Sequence, residues 1–359
     1  MKAEGKWRSS VILSVFCCAV FWMFSGGPMG AQAIPNQSLL ALSKRDHTLA
    51  IVDPATLKVL AKIPVGNDPH EVVASADGNT AYVSNYGFGS FNTLAVVDVR
   101  SQKPLPAVDL GALRGPHGLA FAAGKVWFTA EAAKAIGSFD PATGKIDFIL
   151  GTGQDRTHMI FVIADQKRII TTNVNSGTVS IIDKMPAPPK PQTPGTPPRG
   201  PGGEILPPGG DWKETVVKVG NGSEGFDVSP DGKQIWVANA QDGTISIIDQ
   251  ATKQVTATLN VNLPGANRLK FTPDGSRVFS SSLANGDLLV VDAHTQKEIK
   301  RVSLCHGAAG IQMQPDGSRV FVACSRDNYI AVIDLTSLEV KGRIDVGPEP
   351  DGMAWAITH

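Results

Sequence analysis

The stretch "SPDGKQIWVANAQDGTISIID" (Ser229–Asp249) holds two short apolar runs, "QIWVAN" and "TISIID", each bounded by turn residues. Runs of this length, rich in Val, Ile, Thr and aromatics and fenced by Gly, Asp or Asn, read as paired strands. The phrase returns as "TPDGSRVFSSSLANGDLLVVD" (Thr272–Asp292) and "QPDGSRVFVACSRDNYIAVID" (Gln314–Asp334). Its closing aspartate appears seven times, as Asp53, Asp98, Asp140, Asp183, Asp249, Asp292 and Asp334, at spacings of 45, 42, 43, 66, 43 and 42 residues. The one long interval contains "KMPAPPKPQTPGTPPRGPGGEILPPGGDW" (184–212), with ten prolines and six glycines. Seven copies of one unit therefore remain, interrupted once.

Each copy reads as four strands: "GFDVS" as A, "QIWVAN" as B, "TISIID" as C and "KQVTATLNV" as D. No segment keeps a 3.6-residue apolar period for three turns, so helices are expected to be nearly absent. Four-stranded units at this period are the signature of propeller blades around a channel. The ends agree: "LLALS" and "TLAIVD" supply B and C with no A before them, and the chain finishes on an A-like "GMAWAIT". One blade assembled from both termini closes the ring and removes exposed sheet edges. The expectation is an all-β, seven-bladed β-propeller of four-stranded antiparallel blades over 34–359, its last blade closed by the N- and C-terminal strands. The 184–212 insertion falls between strands C and D of the third blade, too Pro- and Gly-rich to fold by itself. The aspartate ending strand C is expected to accept backbone N–H bonds in the following turn.

Residues 1–33 read as a signal peptide: basic Lys2, Lys6 and Arg8, an apolar run Val11–Phe24, then Ala31-Gln32-Ala33. Export to the periplasm or beyond follows as an expectation, with no further membrane segment after cleavage. Lys plus Arg and Asp plus Glu number 33 each, so charge points to neither nucleic acid nor anionic lipid as a partner. Two cysteines lie beyond the leader, Cys305 at the end of one strand D and Cys324 at the end of the next strand B. Both reach the same mouth, and a disulfide is expected in an oxidising compartment; two buried thiols are the alternative.

Aligned on the aspartate of the A–B turn, the residue seven positions earlier is His70, His158, Glu224, Asn267 and Ala309. His117 joins through the matching Pro-His dipeptide, and Asp351 through Pro350. Around the ring this gives an arc of three imidazoles, His70, His117 and His158, flanked by carboxylates at one channel mouth. Such a set can ligate zinc or copper, supply a general base, or simply bond the rim. Neighbouring B–C loops add Asn85, Tyr86, Glu131, Asn173, Asn239, Asp242, Arg45 and Arg326. The ligand-binding set is taken as His70, His117, His158, Glu224, Asn267, Asp351 and Arg326, with the three histidines as metal candidates. No G-x-S-x-G elbow, C-x-x-C or H-E-x-x-H is present, and no residue is assigned a catalytic role.

"AYVSNYGFGSFNTLAVVD" (Ala81–Asp98), "IWVANAQDGTISIID" (Ile235–Asp249) and "IPVGNDPHEVVASADG" (Ile63–Gly78) resemble the YVTN-type propeller repeat of YncE-like exported bacterial proteins. That resemblance spans nearly the whole mature chain and implies a binding or scaffold protein for an unidentified small molecule or protein. "SNYGFGS" (Ser84–Ser90) is also similar to a phrase of seven-bladed lactonases, which implies a hydrolase. The histidine arc is similar to the fuller histidine ring with which nitrous-oxide-reductase propellers hold copper, which implies a metal-dependent redox protein. An enzyme thus stands as the rival to a binding protein, and oligomeric state stays open.

Overall fold

The structure is a computed structural model describing residues 1–2, 34–186, 196–197, 199–200, 202–205 and 211–358. The expected leader lies outside these residues apart from Met1 and Lys2, as does most of the insertion. The described residues from 34 to 358 form seven four-stranded antiparallel sheets. We number the blades from the first complete one. Their innermost A strands are Pro69–Ala74, Pro116–Ala122, Thr157–Val162, Ser223–Val228, Ala266–Phe271, Ala308–Met313 and Pro350–Ile357. The last pairs with Gln37–Ser43, which pairs with Thr48–Asp53 and then Lys58–Pro64. Blade 7 is thus built from both ends of the chain. Among the described residues, no helix is long and apolar enough to cross a membrane.

Burial follows strand position. Middle strands such as Gln234–Asn239 and Thr244–Asp249 are buried along most of their length. They lie between two neighbouring blades, so both faces need apolar side chains. Trp236, Ile245 and Ile247 of blade 4, for example, pack with Leu269, Phe271 and Val278 of blade 5. The perimeter strand Lys145–Gly151 instead alternates exposed and half-buried residues, as one solvated face requires.

The C-strand aspartates cap their turns as expected. Asp249 accepts from the Thr252 N–H at 2.7 Å, and Asp334 accepts from the Ser337 N–H at 2.7 Å. Asp183 departs from the pattern because the insertion replaces its turn; it pairs with Arg168 at 2.6 Å and with Lys253. The insertion leaves and rejoins at Lys184 and Trp212, which face each other across the C–D ladder.

Two devices draw the A strands together at the mouth. The first is glycine directly after the mouth residue. A Cβ on Gly118 would stand 2.5 Å from the His158 carbonyl oxygen, and one on Gly352 would stand 2.3 Å from that of His70. The second is a strand-B hydroxyl that clips two blades. Thr129 Oγ1 accepts the Gly118 N–H at 2.9 Å and donates to the His158 carbonyl at 2.7 Å. Ser84 does the same for Glu71 at 3.0 Å and His117 at 2.8 Å, and Thr172 donates to the Glu224 carbonyl at 2.6 Å.

Thr129→Val is expected to strand both backbone groups in a buried seam, costing ~1–3 kcal/mol. The thermal midpoint should fall by about 2–6 °C at roughly 2 °C per kcal/mol, while Thr129→Ser stays near wild type. An unchanged midpoint in the valine variant would mean that the clip contributes nothing.

Candidate functional site

The glycine and hydroxyl seams bring the mouth residues of blades 1 to 3 into contact. The rings of His117 and His158 are 3.8 Å apart between centroids, and those of His70 and His117 are 5.0 Å apart. Tyr86, from the B–C loop of blade 1, sets its ring edge-on 4.9 Å from His70 and 5.0 Å from His117. His117 is 2 % exposed and His158 1 % exposed.

Carboxylates surround this stack. Glu131 bonds both His158 Nδ1 and the Tyr86 hydroxyl, and lies 3.4 Å from Arg156 Nε. Glu224 Oε2 sits 2.7 Å from His158 Nε2, off the direction of a hydrogen bond, and its other oxygen is 3.3 Å from Arg156. Asp68 holds His70 Nε2 at 3.1 Å; Asp351 lies 3.7 Å from His70 Nδ1 and pairs with Lys44 at 3.0 Å. Below the stack, Arg268 of blade 5 reaches across the channel to Glu71 of blade 1 at 2.5 Å. A cavity of about 200 Å³ continues down the channel, lined by Glu71, Arg268, Asp227, Lys270 and mostly apolar side chains, Phe161 and Phe226 among them.

The charges sort the histidines into different roles. Burial, followed by the neighbouring His158 and His70, pushes His117 well below the ordinary imidazole range. It is therefore the neutral imidazole that ligates metals, and its buried Nδ1 has no hydrogen-bond partner. Burial opposes charge on His158 too, but Glu224 and Glu131 outweigh it and raise the ring's proton affinity. Burial likewise works to raise Glu224, yet the His158 and Arg156 charges bring it down to about 2. Five carboxylates (Asp68, Glu71, Glu131, Glu224, Asp351) face three permanent cations (Lys44, Arg156, Arg268) and the basic His158, an excess of one negative charge when that ring is protonated.

His117, His158 and Glu131 each offer one ligand atom, and these atoms lie within 4.8 Å of one another. Two atoms each ~2.1 Å from one tetrahedral ion stand ~3.4 Å apart, so a pair at the 4.8 Å limit would have to close by about 1.4 Å on binding. The residues at ligand spacing thus differ from the expected histidine trio. Glu131 replaces His70, which Asp68 and Asp351 hold one ring away.

Asp351 and Glu224 join the site, whereas Asn267 serves Arg268 (3.3 Å) rather than an imidazole. Arg326 donates to the His306 carbonyl at 3.4 Å and lines a separate cleft with Lys44, Arg45 and Glu349, with no bond to the stack. Arg268, Glu71, Arg156, Lys44 and Asp68 belong to the site but were not singled out from the sequence, and Arg156, Lys44 and Asp68 carry no sequence signal of their own. For Glu71 and Arg268 one existed: they occupy the post-mouth position that is glycine at Gly118, Gly225, Gly310 and Gly352. The G-x-G-x-x-G spacing at Gly220–Gly225 opens a strand, not a helix, and so forms no phosphate-cradling loop.

Cys305 and Cys324 are free thiols, and the expected disulfide is not formed in this structure. Cys324 is wholly buried in an apolar cluster of blade 6, with Cys305 packed partly buried against it.

The family model for the cytochrome D1 heme domain matches residues 204–312, under a third of the chain. No curated protein matches. Among solved structures, hydrazine synthase from Kuenenia stuttgartiensis is 17 % identical, covering 88 % of this chain and 99 % of its own, with a TM-score of 0.68. A 6-phosphogluconolactonase candidate from Bacteroides fragilis is 16 % identical, with coverages of 89 % and 98 % and a TM-score of 0.68. The dihydro-heme d1 dehydrogenase NirN in complex with DHE is 15 % identical, with coverages of 90 % and 75 % and a TM-score of 0.61. The chain is therefore a seven-bladed β-propeller similar in fold to lactonase-like and heme d1 propellers.

A heme does not fit this mouth as built. The imidazoles stack on one another and on Tyr86, and the channel space beneath is about 200 Å³, below the ~300–1,000 Å³ of typical cofactor pockets. The donor set suits a single ion.

Proposed function

We propose that the protein is an exported binding propeller whose channel mouth takes up one zinc or copper ion on His117, His158 and Glu131. The carrying observation is the buried, unpartnered Nδ1 of a neutral His117 beside two further donors. The local excess of negative charge supports a cation over an anionic ligand. Glu224, Arg156 and Tyr86 then orient His158 and Glu131, the outer partners that metal ligands commonly need. The signal-peptide reading of residues 1–33 supports a site outside the cytoplasm.

The test is metal retention by purified, chelator-stripped protein after loading with zinc or copper and desalting. Wild type and the exposed-site control His294→Ala are expected to keep one equivalent. His117→Ala should bind more than about 100-fold more weakly, beyond the 10–100-fold of outer-partner changes. Wild type that holds no more metal than His117→Ala would overturn the reading.

A further inference from the structure

Across the ring from the histidines, the two cysteines occupy unlike surroundings. Cys305 lies half-buried in an open cleft of about 550 Å³, lined also by Leu304, His306, Asp327, Tyr329 and Arg343. Cys324 is wholly buried in the apolar cluster against which Cys305 and Tyr329 pack, while the Tyr329 hydroxyl donates to the Leu304 carbonyl at 3.3 Å. One sulfur can be reached from solvent and the other only through the first. That is the arrangement of an attacking and a resolving thiol.

The surroundings favour negative charge on the outer sulfur. The neighbouring Cys324 thiol, with help from the Gly307 N–H, lowers the proton affinity of Cys305 against the effect of burial. Cys324, beside Cys305 and enclosed, is shifted the other way. His306 adds an imidazole, fixed to Asp327 at 2.8 Å and otherwise open to solvent, and Arg343 lies over the Tyr329 ring at 4.3 Å. Thiolate, not thiol, is the nucleophile in exchange. The guanidinium at the cleft wall matches a carboxylate on an incoming molecule.

We propose that Cys305 and Cys324 form a redox-active dithiol that exchanges with small, carboxylate-bearing disulfides in this cleft. The Cys305 thiolate attacks one sulfur of R–S–S–R, forming a Cys305–S–S–R bond and releasing RS⁻, which takes a proton from water. Cys324 then gives up its proton to solvent and attacks Cys305 Sγ, releasing the second RS⁻. The protein is oxidised by two electrons and the small disulfide is reduced to two thiols. The proposal is independent of the metal reading, since no residue is shared.

The experiment uses the reduced, purified chain and oxidised glutathione, with acid quench, alkylation and intact-mass analysis. Wild type is expected to finish two hydrogens lighter, with no adduct. Cys324→Ala should trap one glutathionyl group on Cys305, and Cys305→Ala should take none while folded. Arg343→Ala, made in the Cys324→Ala background, should slow adduct formation several-fold with glutathione but not with uncharged hydroxyethyl disulfide. Thermal melts confirm that each variant is folded. If folded Cys324→Ala stays unmodified while the urea-unfolded form reacts fully, or if folded Cys305→Ala is modified at Cys324, the proposal fails. Equal slowing with both disulfides would overturn the carboxylate preference.

Discussion

Arg268→Leu is expected to lose ~3–5 kcal/mol of stability, the cost of leaving one partner of a buried ion pair alone. At roughly 2 °C per kcal/mol for a chain this long, the thermal midpoint should drop by about 6–10 °C. Arg268 crosses the channel to Glu71, its side chain 9 % exposed and that of Glu71 13 % exposed. Asp351 and Glu224 add their charges to the same guanidinium and hold it firmly protonated against burial. Removing it strands Glu71 and weakens the balance of both other carboxylates. The double variant Glu71→Leu/Arg268→Leu removes both charges and should recover most of the loss, because apolar replacement of a whole buried pair is often neutral. Equal midpoints for wild type and the single variant would show that the pair is solvated through the channel cavity.

Gly118→Ala is the second large effect. The added methyl would meet the His158 carbonyl oxygen at 2.5 Å, Met159 Cα at 2.7 Å and Ile160 N at 2.9 Å, all backbone atoms of the next blade. No rotamer change relieves such a contact, so the strands must part, at a cost of ~1–3 kcal/mol or more. Gly151→Ala, with open space around its Cα and no positive φ, is the control and should lie within about 0.5 kcal/mol of wild type. The same methyl pushes blade 3 away from blade 2, and therefore His158 from His117. Metal retention should fall together with stability in Gly118→Ala but not in Gly151→Ala. Unfolding measurements and metal analysis on the same preparations check both halves. A stable Gly118→Ala with unaltered metal binding would show that the seam does not position the imidazoles.

The repeat was legible because blade strands write themselves locally. Period-2 apolar runs, Asp-Gly turns and a closing aspartate recur at nearly constant spacing, and each copy needs its neighbours to bury its faces. Shared repeat position also placed His70, His117, His158, Glu224 and Asp351 at one mouth, since equivalent residues of a ring lie on one circle. Position on a circle does not set the distance between residues. That came from the Gly118 and Gly352 approaches and the Ser84, Thr129 and Thr172 clips, contacts between blades that no single repeat displays. Through them His117 reached His158, and Glu131 rather than His70 became the third donor. Burial and neighbouring charge, both tertiary properties, then made His117 neutral and His158 basic. The crossing of Arg268 to Glu71 was likewise decided across the channel, between residues 197 apart in sequence. The same holds for the cysteines. Chain order put both near one mouth, but only packing determined that Cys324 is enclosed while Cys305 faces a cleft, because accessibility depends on what neighbouring strands cover.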